Sequence, residues 1–94
     1  YEANFDQADP EKRLPNFSIV CLPHDHTFGG SPGKPTPKAC IAANDLALGM
    51  IVDRVSRSRY WAETAIFVTE DDAQDGSDHV DCHRSILLAI SPYS

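Results

Sequence analysis

Between Glu70 and His83 the chain reads Glu-Asp-Asp-Ala-Gln-Asp-Gly-Ser-Asp-His-Val-Asp-Cys-His, which holds six of its fourteen acidic residues and no lysine or arginine. Carboxylates crowded this closely repel one another, and they relieve the repulsion by staying protonated or by sharing a cation. An acidic run is most often just a solvated loop. The two histidines, His79 and His83, set this one apart, because they add nitrogen donors and make mixed Asp and His coordination of zinc, manganese or iron the chemistry to expect. A calcium loop of the EF-hand kind does not fit. Asp71, Asp75 and Gly76 fall at ligand positions one, five and six, but Ala73 stands at position three and Cys82 where the closing glutamate belongs.

A second cluster is His24-Asp25-His26, directly after an apolar run. A lone histidine in such a place is usually an ordinary turn residue; the position after a strand and the presence of the acidic cluster make His26 the stronger ligand candidate of the two. The neighbouring Gly29-Gly30-Ser31-Pro32-Gly33 matches the G-x-S-x-G pattern of a nucleophile elbow. That elbow needs a backbone N–H after the serine and a helix starting at once; Pro32 has no N–H, so these residues read as a flexible loop. Lys34 is no phosphate-loop lysine, since Phe28 stands where the first glycine of that motif must be.

The elements that carry these clusters are short. Residues 1–16, with Pro10, Pro15 and mixed charges, read as an N-terminal arm, and residues 17–94 as the domain. Phe17–Leu22, apolar and stopped by Pro23, suits a buried strand. Residues 23–35 are too rich in Gly and Pro for any regular element. Thr36-Pro37 is a helix start, a capping hydroxyl followed by a proline whose missing N–H costs nothing, and the helix is expected from Pro37 to about Arg57 with Ile41, Leu48, Ile51, Val52 and Val55 as its apolar stripe. Thr64–Thr69 and Ile86–Ile90 read as further strands, the second ended by Ser91-Pro92.

This order, β-loop-α-β-loop-β, predicts an α/β fold with a small, mostly parallel sheet and one long helix, Phe17–Leu22 and Thr64–Thr69 being parallel neighbours joined by the helical crossover. Ligands of open α/β sheets sit beyond the carboxyl ends of the strands, which would bring the His24–His26 loop and the acidic loop to one site. One helix covers one face of a sheet. The other face calls for something outside the chain, and a symmetric homodimer is the default.

Composition bounds the function classes. Ninety-four residues make one small domain, and Leu, Ile, Val and Phe account for 21 of them, a thin supply for a core that invites help from a metal or a second subunit. A net charge of −6 with no basic stripe argues against nucleic-acid binding. No apolar run approaches the length of a membrane span, and no signal-peptide pattern opens the sequence. Three widely spaced cysteines fit neither a disulfide scaffold nor a zinc ribbon, so the compartment stays open.

Several stretches taken together are familiar: Leu22-Pro23-His24-Asp25-His26-Thr27, Asn44-Asp45-Leu46-Ala47-Leu48-Gly49, Ser58-Arg59-Tyr60-Trp61, Thr64-Ala65-Ile66-Phe67-Val68 running into Glu70-Asp71-Asp72-Ala73-Gln74-Asp75-Gly76, Asp78-His79-Val80-Asp81, His83-Arg84 and Ile90-Ser91-Pro92-Tyr93. In this order, over about residues 15–94, the chain resembles the C-terminal part of bacterial phosphoesterases of the alkaline phosphatase superfamily, in the branch containing phospholipase C and acid phosphatase. The resemblance implies a fragment of a doubly wound fold, hydrolysis of phosphate mono- or diesters, and one or two divalent metals, Zn2+ foremost and Mn2+ as the alternative. It gives Asp71 and Asp72 the place of an adjacent ligand pair, His26 that of a histidine ligand and His79 that of a later motif histidine, with Asp25 a weaker ligand candidate. Proteins of this kind are often exported.

The family's upstream segment, which carries further ligands and the attacking Ser or Thr, has no counterpart in the stretch that matches, and Cys82 departs from the pattern. A metal-bound hydroxide is then the expected nucleophile, with His24 or His83 as acid or base. A phosphodiester is the preferred small substrate, because a monoester dianion would meet an acidic site with only Lys34 and Arg84 as loop cations. The competing expectation is a non-catalytic metal-binding or association remnant.

Overall fold

Thr36 and Pro37 start a helix as their chemistry dictates. In the computed structural model, which describes residues 14–71 and 85–94, helix α1 spans Pro37–Ser56, and the Thr36 hydroxyl accepts a hydrogen bond from the Ala39 amide at 3.2 Å. The cap satisfies one of the amides a helix leaves without a partner at its first turn. At the other end the Arg57 amide donates to the Asp53 carbonyl at 3.3 Å, and the Ser58 amide and hydroxyl both donate to the Val55 carbonyl, at 3.0 and 2.7 Å. These close the last turn one residue short of the expected end. An exposed Asp53–Arg57 ion pair at 2.8 Å adds little to this.

The covered face of α1 steps through Cys40, Asn44, Ala47, Ile51 and Val55, in intervals of four and three that keep one helical face. Cys40 (4% exposed) and Val55 (6%) are the buried apolar residues among those described, with Leu48, Ile51 and Val52 half-buried. Ile41, expected in the stripe, lies at its margin and is exposed. A core this small matches the composition and leaves many of the described large apolar side chains, Phe17, Ile19, Leu46 and Phe67 among them, exposed to water.

The mostly parallel, doubly wound arrangement is not what forms. The described residues make a small α+β protein with one α-helix and a two-stranded antiparallel sheet, β1 (Ile66–Thr69) beside β2 (Leu87–Ile90). Phe17–Leu22 forms no strand, and Phe17, Ile19 and Val20 are exposed. The reason is that a strand is stabilised by its ladder and its cross-strand neighbours, and an apolar run without alternation names neither. β1 takes the later segment as its partner. Successive strands can pair antiparallel without a helical crossover, so α1 does not dictate the direction of this sheet.

The chain divides into two compact units, Tyr1–Ser58 and Arg59–Ser94. Of the arm expected over residues 1–16, residues 1–13 lie outside those described, and residues 14–16 belong to no helix or strand. The first unit contains a 3-10 turn, Pro23–His26, lying against α1. The second opens with a 3-10 turn, Trp61–Glu63, behind which the Thr64 hydroxyl donates to the Tyr60 carbonyl at 2.6 Å. Its sheet pairs Ile66 with Ile90, Phe67 with Ala89, Val68 with Leu88 and Thr69 with Leu87. Side chains alternate across a sheet, so Ile66, Val68, Leu88 and Ile90 share one face and Phe67, Thr69, Leu87 and Ala89 the other. The first face is largely half-buried; on the second, Phe67 is 71% exposed and Leu87 72%. Among the described residues no helix is long and apolar enough to cross a membrane.

Candidate functional site

Pro23 occupies the first turn of the Pro23–His26 3-10 helix, where its fixed φ and absent N–H are tolerated. His24, Asp25 and His26 follow it, all exposed. Successive residues of a 3-10 helix point about 120° apart, so these three project in three directions and cannot together close on one ion. The Thr27 amide donates to the His24 carbonyl at 3.1 Å and ends the turn. Thr27 then takes φ 58° and ψ −177°, a region that β-branched side chains avoid.

The loop that follows has glycine where the backbone turns left-handed, at Gly29 (φ 60°) and Gly33 (φ 76°). The Ser31 amide donates to the Phe28 carbonyl at 3.4 Å and the Lys34 amide to the Ser31 carbonyl at 3.2 Å. Ser31 is therefore an exposed turn residue, with α1 beginning only at Pro37. No strand leads into it and no helix follows at once, so the geometry of a nucleophile elbow is missing. The Lys34 ammonium stands 5.1 Å from the centroid of the Phe28 ring, a local cation–π contact.

The acidic cluster begins where β1 ends. Glu70 and Asp71 follow Thr69 directly and are exposed, and the Thr69 hydroxyl donates to the Glu70 carbonyl at 3.3 Å. Asp72, His79 and His83 lie outside the described residues, as does Cys82. His24, Asp25 and His26 belong to the first unit and Asp71 to the second. The rule that would bring the two loops together required Phe17–Leu22 and β1 to be parallel neighbours, and with that strand absent the rule no longer applies. Among the described residues no three His, Cys, Asp or Glu side chains gather where one metal ion could be held. The donor types, imidazole and carboxylate, suit zinc or manganese.

Two further features were not legible in the sequence. Cys40 is a buried free thiol on α1, whereas Cys21 is free and exposed. The positive φ of Thr27 has no composition signal at all, since glycine or asparagine is what ordinarily announces such a position. Comparisons of the chain with protein-family models, curated proteins and solved structures give no match.

Proposed function

We propose that this chain contributes a metal-dependent phosphoesterase site with a preference for small phosphodiesters. The observation that carries the reading is the exposed pair Glu70 and Asp71 directly after the end of β1, which Asp72 follows in the sequence. The sequence resemblance to phosphoesterases of the alkaline phosphatase superfamily supports the same residues. Asp71, Asp72 and His79 are the proposed ligands of one or two Zn2+ or Mn2+ ions, His26 and more weakly Asp25 are further ligand candidates on the strength of the sequence resemblance alone, and His24 and His83 are the proposed proton carriers. A bound divalent ion supplies Lewis acidity, which activates water and neutralises charge on a phosphoryl oxygen. Ser31 takes no part.

A second reading, a non-catalytic metal-binding or association module, is favoured by the exposed Phe67 and Leu87, which leave one face of the sheet without cover. Association as a homodimer belongs to either reading.

Turnover of bis(4-nitrophenyl) phosphate with zinc or manganese, measured beside the metal content of each variant, separates them. Asp71→Ala and Asp72→Ala are expected to lose both turnover and metal, and Ser31→Ala to keep both. Metal retained without turnover by the unaltered chain selects the association module. A Ser31→Ala protein that holds its metal but is inactive overturns the mechanism.

A further inference from the structure

We draw no further inference here: the strongest candidate, the exposed apolar face of the β1–β2 sheet that carries Phe67 and Leu87, is an unpartnered surface, and nothing in the structure shows what covers it.

Discussion

The Tyr93 hydroxyl donates a hydrogen bond to the Ala62 carbonyl at 3.1 Å, joining the end of the chain to the 3-10 turn that precedes β1. The residues after β2 are arranged to make this bond. The Ser91 amide donates to the Ser94 hydroxyl at 2.9 Å and the Tyr93 amide to the Ser91 hydroxyl at 3.1 Å, which fold the last four residues back on themselves. The Tyr93 ring stays exposed, so the contribution is the hydrogen bond and little apolar burial. Tyr93→Phe is expected to destabilise the protein by about 0.5–1 kcal/mol in urea unfolding, the range of a single net hydrogen bond. A variant with an unchanged midpoint would show that the bond is balanced by water.

The N-cap of α1 makes a larger difference. Thr36→Ala removes the acceptor of the Ala39 amide and should cost about 1 kcal/mol, whereas Thr36→Asp or Thr36→Ser should be nearly neutral. Urea unfolding followed by circular dichroism at 222 nm measures this. Equal stability of the alanine and serine variants would mean the hydroxyl does not cap the helix in solution.

Metal linkage follows from the crowding of residues 70–83. A ligand that binds only the folded chain raises its stability by about 2.7 kcal/mol at a concentration one hundred times its dissociation constant. Zinc or manganese should therefore raise the melting temperature by several degrees, EDTA should reverse it, and Asp71→Ala should abolish the response. A melting temperature indifferent to both additions would remove the proposed metal site.

Association is tested at the sheet. Phe67 and Leu87 stand on the same face, diagonal to each other across the β1–β2 register, and both are largely exposed. If a second copy covers them, light scattering at micromolar concentration shows a dimer, and Phe67→Lys with Leu87→Lys returns it to monomer without unfolding. A folded monomer in the unaltered protein rejects the homodimer.

The helix was legible because its signals are local. Thr36 caps an amide three residues away, Pro37 suits the first turn, and the stripe that ends at Val55 is a matter of spacing along one segment. The strands were legible as segments too: Ile66–Thr69 lies within the predicted 64–69 and Leu87–Ile90 within 86–90. What each strand pairs with is decided by residues far away in the chain. Val68 faces Leu88 rather than a residue of Phe17–Leu22 because a ladder forms between whichever two segments meet, and no pattern within either one records its partner. Burial follows the same division. The apolar character of Phe17 and Ile41 is evident in the sequence, but their exposure depends on whether anything is packed over them. Thr27 shows the limit most clearly: two hydrogen bonds, to His24 and from Gly29, hold it in a backbone conformation its own side chain disfavours, so only the folded loop determines it.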